Sequence, residues 1–166
     1  MHVTRRWVIN ASPLIFLAKI DALPLLQQLA REVVVPFSVL CEVAAGGGMA
    51  GYRPMELPQW LHLRDDLPLP AEIAGWDLGA GESQVLAHTV MAGDEAVLDD
   101  LQGRGCARAL GVPATGTLGV LLRAKKLGMI PAARPLIEDL LRSGLYLSRD
   151  LVQQALLDVG ESWGSR

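Results

Sequence analysis

The chain contains few of the residues that support disulfide bonds or histidine-based metal sites. Among its 166 residues are two cysteines and three histidines. The histidines, His2, His62 and His88, lack the spacing of a metal-binding motif. The cysteines, Cys41 and Cys106, stand in apolar surroundings, which indicates two buried structural thiols and no disulfide framework.

Long apolar runs and an excess of positive charge are also missing. No run approaches the roughly 20 apolar residues that a membrane helix requires. The short apolar run near the N-terminus is interrupted by Asn10 and by Ser12–Pro13, which argues against a signal peptide. We therefore expect a cytoplasmic protein without a membrane partner. The net charge of −3 gives no overall attraction to nucleic acid, so any RNA contact must depend on a local patch.

Several catalytic and nucleotide-binding motifs are absent as well. No Gly-x-Ser-x-Gly sequence supports a serine hydrolase. The glycine run at 46–48 is not followed by the Lys-Ser/Thr pair of a phosphate-binding loop. The segment Gly103–Arg108 only half matches a dinucleotide-binding fingerprint, because Arg108 occupies the place of the third glycine. A phosphoacceptor receiver domain is disfavoured because Asn10 stands where its acidic pair would follow the first strand.

The chain does have the composition of one well-packed domain. Apolar residues make up 51% of it and charged residues 20%, as is typical of globular proteins. We expect residues 1–166 to form a single domain, with a core at about 7–128 and a helical C-terminal tail at 131–160. Short strands alternate with helices, a pattern that predicts a three-layer α/β/α fold with a central, mainly parallel sheet and helices on both faces.

The predicted strands are short, and the predicted helices begin at residues that favour helix starts. The strands cover 7–9, 31–35, 95–98 and 112–115, with a further short strand or turn near 60–63 inside a loop-rich stretch at 45–70. The helices start at Ser12–Pro13 and then cover 22–30, 37–43, 81–91, 104–110, 118–127, 131–142 and 151–159, with Thr117 and Ser148 capping the helices that follow them.

Acidic and amide side chains fall where strands end and helices begin. Asn10 ends the first strand, and Asp99–Asp100 end a later one. Glu42 lies on the helix after the second strand, and Glu82 in the first turn of another helix. Right-handed crossovers bring these positions to one edge of the sheet. Converging carboxylates repel one another unless divalent cations lie between them, and oxygen-only donors favour Mg²⁺ or Mn²⁺, which can activate water for phosphoryl displacement.

Each of these residues also has a purely structural interpretation. Glu82 can favour the helix macrodipole, and Glu42 can be a solvated helix residue. Asp99 or Asp100 can cap the helix that follows, and Ser12 can cap the first helix. The convergence of several acids on one edge nevertheless favours a metal site.

Two arginines follow the acidic pair. Arg104 and Arg108 are four residues apart, so they share one helix face beside the predicted pocket. They can hold RNA phosphates or form a solvated face, and the solvated face is the simpler interpretation for Arg108.

Five segments between about Val8 and Leu127 form a pattern. They are Val8–Ile15, Val39–Val43, Leu78–Ala87, Val97–Asp100 with Arg104 and Arg108, and Gly111–Gly119. Together they resemble the motifs of PIN domains, which are metal-dependent ribonucleases often found as toxins of toxin–antitoxin pairs. The last two segments are similar to the final strand-loop block of an uncharacterised PIN-like branch. The resemblance implies a three-layer α/β/α fold and an acidic pocket that binds Mg²⁺ or Mn²⁺.

The resemblance also implies roles for individual residues. The implied metal ligands are Asn10, Glu42, Glu82, Asp99 and Asp100, of which the four carboxylates are also the implied catalytic residues; Asp99 and Asp100 are adjacent alternatives for one position. The implied substrate-binding residues are Ser12, Arg104 and Thr115. Asn10 departs from the family pattern, in which most active members carry Asp. Its amide still offers a ligand oxygen, but without the negative charge that strengthens metal binding.

Two functions of different classes follow from this resemblance. The first is a Mg²⁺- or Mn²⁺-dependent endoribonuclease, the toxin component of a pair, which an antitoxin protein inhibits. The alternative is a catalytically impaired PIN-like module that acts by binding protein or RNA, and Asn10 is the residue that separates the two. A homodimer is also expected, because Leu25, Leu26, Leu29, Leu151, Ala155 and Leu156 can exceed what one core buries, although packing inside the core is the simpler interpretation.

Overall fold

The computed structural model describes residues 5–46 and 55–163, and these form a five-stranded parallel sheet with flanking helices. The strands are β1 (Arg6–Ile9), β2 (Glu32–Pro36), β3 (His62–Arg64), β4 (Glu95–Val97) and β5 (Ala114–Thr115). The helices are α1 (Ala11–Lys19), α2 (Pro24–Leu29), α3 (Phe37–Ala44), α4 (Ala71–Ala74), α5 (Ala80–Ala92), α6 (Leu101–Ala109), α7 (Thr117–Lys126), α8 (Arg134–Arg142) and α9 (Arg149–Asp158). The predicted three-layer α/β/α architecture is confirmed.

The strand order places the carboxyl ends of the central strands side by side. The order is β3-β2-β1-β4-β5, so the chain leaves β1 in one direction first and later fills the other side with β4 and β5. In the register, Ile9 pairs with Val97, and Val97 pairs with Thr115. Asn10 and Asp99 therefore follow directly at one edge, at the reversal point where open parallel sheets bind their ligands.

The core is built from strands that are apolar on both faces. Trp7, Val8 and Ile9 of β1 are almost completely buried, as expected for a central parallel strand that is covered by helices on either side. The same cluster of buried residues includes Ile137 of α8 and Leu156 of α9. The C-terminal helices are thus packed on the same core as the sheet.

One carboxylate holds the start of α8 in place. Glu161, beyond α9, accepts hydrogen bonds from the backbone N–H groups of Ala133 and Arg134 at 2.8 and 3.0 Å. These donors belong to the first turn of α8, where N–H groups have no partner within the helix. The contact connects the end of the described chain to the start of α8.

Several predicted helix starts are wrong by a few residues. The first helix begins at Ala11 with Asn10 in the N-cap position, so Ser12 does not cap it. Thr117 is the first residue of α7 and not its cap, because a distant carboxylate satisfies its N–H group. The helix predicted at 131–142 begins at Arg134. The helix predicted at 22–30 covers only Pro24–Leu29, and the short α4 was not predicted.

One cysteine prediction is confirmed and the other is wrong. Cys106 is buried, but Cys41 is exposed. On α3 the buried residues are Val39 and Val43, which lie one turn apart on the same face. Cys41 is two residues from each of them and therefore lies on the opposite side of the helix. Residues 47–54 of the predicted loop, with most of its glycine run, lie outside the described residues, as does His2.

Candidate active site

Asn10 places a buried amide between the ends of two strands. Its backbone N–H donates to the carbonyl oxygen of Val97 at 2.9 Å, which ties the end of β1 to β4. Only 5% of the residue is exposed, and its Oδ1 atom has no hydrogen-bond partner in the part of the chain that the structure describes. A buried amide oxygen without a hydrogen-bond donor lowers the stability of the fold. This atom can therefore accept a hydrogen bond from a ligand or coordinate a cation.

Glu42 is fixed against the start of α5. Its Oε1 atom accepts a hydrogen bond from the backbone N–H of Gly81 at 2.9 Å. A Cβ atom at residue 81 would lie 2.7 Å from Oε1 and 2.8 Å from Oε2, so only glycine allows this approach. The first turn of α5 thus holds a carboxylate that comes from α3.

Glu82, the next residue along α5, is surrounded by other acids. Its pKa is raised from 4.5 to about 6, first by burial and then by the negative charges of Asp100 and Glu42. The structure therefore brings together carboxylates from α3, from α5 and from the loop after β4. Within the described residues none of the three forms an ion pair, so no cationic side chain offsets their repulsion.

The neighbouring residues Asp99 and Asp100 have different environments. Asp100 is exposed, caps α6, and uses only Oδ2 to accept a hydrogen bond, from the N–H of Gly103 at 3.0 Å. Both oxygens of Asp99 are used: Oδ1 accepts from the Thr117 N–H at 2.7 Å. Oδ2 of Asp99 accepts from the hydroxyls of Ser12 and Thr117 at 2.8 and 2.7 Å. Asp99 thus joins α1 to α7, whereas Asp100 keeps a carboxylate oxygen free.

The predicted substrate-binding residues are dispersed around this edge. Ser12 is committed to Asp99, as described above. Thr115 is buried at the end of β5, and Arg104 is exposed on α6. Both line a cavity together with Asp99 and Asp100. Their assignment to substrate stays a prediction.

The donors at this edge are suited to a hard divalent cation but do not form a finished site. They are oxygen atoms only, they include carboxylates that repel one another, and Asn10, at the end of β1, has a buried oxygen without a hydrogen-bond partner among the described residues. Even so, in residues 5–46 and 55–163 no three His, Cys, Asp or Glu side chains are grouped closely enough to hold a metal ion.

Two contributors to the site were not predicted from the sequence. Neither the backbone N–H of Gly81 nor the double contact of Thr117 with Asp99 was expected. A glycine directly before Glu82, at the start of a helix, was a possible signal for the Gly81 contact. The contact between Thr117 and Asp99 has no local sequence signal, because the two residues are 18 residues apart.

Comparison with protein families identifies the family of the chain. The family model DUF3368, described as a PIN domain, matches residues 6–161. The chain belongs to the PIN domain family. The family resemblance predicted from the five segments is therefore confirmed, and the match extends beyond them to include α8 and α9.

Membership in the PIN domain family supports a nuclease-type fold. PIN domains are generally nucleases and typically use divalent metal ions. A comparison with curated proteins finds no match. In the described part of the chain, no helix has the length and apolar character needed to cross a membrane.

Proposed function

We propose that this PIN domain is a Mg²⁺- or Mn²⁺-dependent endoribonuclease. The observation that carries the proposal is the uncompensated group of Glu42, Glu82 and Asp100, in which burial first, and then the charges of Asp100 and Glu42, raise the pKa of Glu82 to about 6. Like charges gathered without a cationic side chain are costly, and a divalent cation relieves that cost. The group lies at the carboxyl edge of a parallel sheet, where such folds bind ligands.

Four residues of the described chain would hold the cation. Glu42, Glu82 and Asp100 supply charged oxygens, and Asn10 supplies a neutral one from its unpaired Oδ1 atom. A bound divalent cation supplies Lewis acidity and lowers the pKa of its water. Asp99 contributes indirectly, because its three hydrogen bonds to Ser12 and Thr117 fix the strand end that carries Asp100.

Glu82 would hold a divalent cation in its ionised form. Because its pKa is about 6, part of the Glu82 population is protonated in mildly acidic solution. Only the ionised carboxylate is a strong ligand, so the affinity of the site for a divalent cation would increase as the pH rises through about 6.

A second function is supported by Asn10. With an amide in place of a fourth carboxylate, the site has less negative charge and therefore a weaker attraction for a divalent cation. This observation favours a catalytically impaired module that acts by binding RNA or protein. The two functions make different predictions for the variant Asn10→Asp.

The toxin role, the antitoxin partner and the homodimer complete the proposal. PIN-type ribonucleases that act as toxins need a protein that inhibits them, and the antitoxin fills this role.

The homodimer has less support than the sequence suggested. Of the apolar residues that pointed to a dimer interface, only Leu151 is substantially exposed. The other five, Leu25, Leu26, Leu29, Ala155 and Leu156, are buried in the core. A dimer would have to use other surfaces.

An RNA cleavage assay with Mn²⁺ tests the proposal. We expect the wild type to cleave RNA, chelation by EDTA to stop cleavage, and Asp100→Ala or Glu82→Ala to reduce the rate about a hundredfold or more. The matched control is Glu56→Ala, which removes an exposed carboxylate that neither shifts the pKa of Glu82 nor lines the cavity beside the site, and it should leave the rate unchanged. Metal-dependent cleavage that survives both site variants would contradict the assignment.

The variant Asn10→Asp separates the two functions. If the wild type is an active ribonuclease, Asn10→Asp should change the rate only modestly. If the wild type cleaves no RNA and Asn10→Asp does, the binding module is the native function and the missing charge is the reason.

A further inference from the structure

A cavity of about 680 Å³ opens beside the acidic site, between α7 and the C-terminal helix α9. Asp99 and Asp100 form part of its wall, so the cavity is continuous with the proposed active site. Most of the remaining wall is aliphatic: Leu118, Leu122, Leu145, Leu147 and Leu151. Pockets of ~300–1,000 Å³ with apolar walls and a few polar groups are typical of small-molecule and nucleotide sites.

Two large apolar side chains at this cavity are left in solvent. Tyr146, in the loop between α8 and α9, is 88% exposed, and Leu101, at the start of α6, is 84% exposed. Both line the cavity. Tyr146 makes no hydrogen bond or ion pair within the described residues, so its ring is not held by the fold. A solvent-exposed aromatic ring at a cavity is a surface on which an unpaired base can stack.

The charges of the cavity favour a base inside it and a phosphate at its rim. Arg104 is its only lysine or arginine among the described residues; it is exposed and has no ion-pair partner there. A free guanidinium is suited to bind a phosphate in a bidentate manner. By contrast, Asp99, Asp100 and Asp158 repel a phosphate from the interior but not an uncharged ring.

We infer that this cavity binds the base of an unpaired nucleotide next to the cleaved bond, with Tyr146 stacking on the base and Arg104 binding its phosphate. The inference rests on the proposed function for its substrate and adds a subsite for one unpaired base, which a base paired in a duplex cannot enter. On the α9 side, Gln154 donates to Asp158 at 3.0 Å, and both side chains offer polar atoms to the edge of the base.

Binding measured without a divalent cation tests the inference independently of cleavage. The full chain is titrated in EDTA against a short fluorescein-labelled unstructured RNA, and against the same RNA annealed to its complement, with fluorescence anisotropy as the readout. Tyr146→Ala should weaken binding of the single strand about tenfold, and Tyr146→Phe should restore it, because stacking needs the ring and not the hydroxyl.

Arg104→Ala should weaken binding of the single strand and reduce its dependence on salt, because one phosphate contact is lost. Two exposed residues outside the cavity serve as controls: Arg31→Ala, just before β2 at the opposite edge of the sheet, and Met91→Ala at the end of α5. Neither control should change the affinity. A wild type that binds duplex as tightly as the single strand would overturn the inference, as would a Tyr146→Ala variant with unchanged affinity.

The cleavage assay shows which of the two proposals fails. If the wild type cleaves RNA with Mn²⁺ but Tyr146→Ala has wild-type affinity and KM, the nuclease stands and the base subsite is wrong. If Tyr146 controls binding of the single strand but no divalent cation gives cleavage, the subsite stands and the nuclease is wrong. A raised KM for Tyr146→Ala with little change in kcat supports both.

Discussion

Acidic residues at the two ends of the sheet differ in whether they have cationic partners. At the amino end of β4, Arg6 pairs with Asp94 at 2.6 Å. Next to it, Glu95 accepts hydrogen bonds from Arg123 at 2.9 Å and from the indole N–H of Trp7 at 3.1 Å. At the carboxyl end, Glu42, Glu82 and Asp100 lie near one another without a cationic partner among the described residues.

This difference separates acids that stabilise the fold from acids available for chemistry. A buried carboxylate that is fully paired cannot bind a cation without losing its partners, so Glu95 is fixed in one role. The carboxylates at the other end make few protein contacts and repel one another, which costs stability and favours a ligand. The two groups also differ in burial: Glu95 is buried, whereas Glu82 is half-buried and Asp100 is exposed.

The largest change in stability should come from breaking the paired end. Glu95→Ala leaves the guanidinium of Arg123 and the buried indole of Trp7 without their acceptor, and we expect a loss of about 3 kcal/mol in the free energy of unfolding. Urea denaturation measures it. The control Asp139→Ala removes an exposed partner of Arg142 and should cost less than about 0.5 kcal/mol. Equal losses in the two variants would contradict the distinction.

The two adjacent aspartates should differ in the same way on a smaller scale. Asp99→Ala removes the acceptor of two hydroxyls and of the Thr117 N–H, so we expect a loss of about 2 kcal/mol. Asp100→Ala removes one N-cap contact to Gly103 and should cost about 1 kcal/mol. Thermal unfolding of both variants without metal provides the comparison. If Asp100→Ala is the less stable protein, their assigned roles are reversed.

Adding a charge at the unpaired end should increase both its repulsion and its metal affinity. Asn10→Asp places a fourth carboxylate at a buried position, so without metal we expect a loss of about 1 kcal/mol in stability. Calorimetric titration with Mn²⁺ should show about tenfold tighter binding than the wild type. The control Asn10→Ala removes the oxygen and should bind Mn²⁺ more weakly than the wild type. Unchanged affinity in both variants would exclude Asn10 as a ligand.

The smallest effect is the pH-dependent gain in stability from Glu82→Gln. The pKa of Glu82 is higher in the folded protein than its ordinary value of 4.5, so the folded state binds the proton more tightly. Wild type and variant should therefore match below pH 4.5, and the wild type should lose stability relative to the variant as the pH rises to about 6.

At pH 7.5 the difference should be at most about 1 kcal/mol, because Glu82 is only half-buried and water screens its charge. Urea unfolding without metal at pH 4 and 7.5 measures this. The exposed Glu56→Gln should show no such trend. A Glu82→Gln variant that is less stable than the wild type at pH 7.5 would contradict the repulsion.

The parts of the fold that follow from local pattern could be predicted. Apolar, β-branched segments such as 31–35 predicted the strands, and the alternation of strands with helices predicted the parallel sheet. The predicted capping of α9 by Ser148 is confirmed, because the Leu151 N–H donates to the Ser148 hydroxyl. This cap could be predicted because its donor and acceptor are only three residues apart. Helix starts that depend on distant partners were less predictable, as the shift from residue 118 to Thr117 in α7 shows.

For the candidate site, the edge could be predicted but the state of each residue could not. The sequence showed Asn10 and Asp100 after strands, Glu82 at a helix start and Glu42 on the helix after β2. Whether a given carboxylate is free or engaged depends on residues far along the chain. Ser12, which contacts Asp99, is 87 residues away from it. The sequence therefore left Asp99 and Asp100 equivalent.

The sequence alone determined the element types, the family and the edge where acids gather, because periodicity, caps and strand ends are local properties. Tertiary structure decided which acids are paired. It engaged Asp99 with α1 and α7, left Asp100 with a free oxygen, and left the Asn10 oxygen without a donor. It also placed α9 beside the acids, which forms the cavity with Tyr146 and Arg104. Such long-range contacts arise only when the chain packs, since packing chooses which side chains meet.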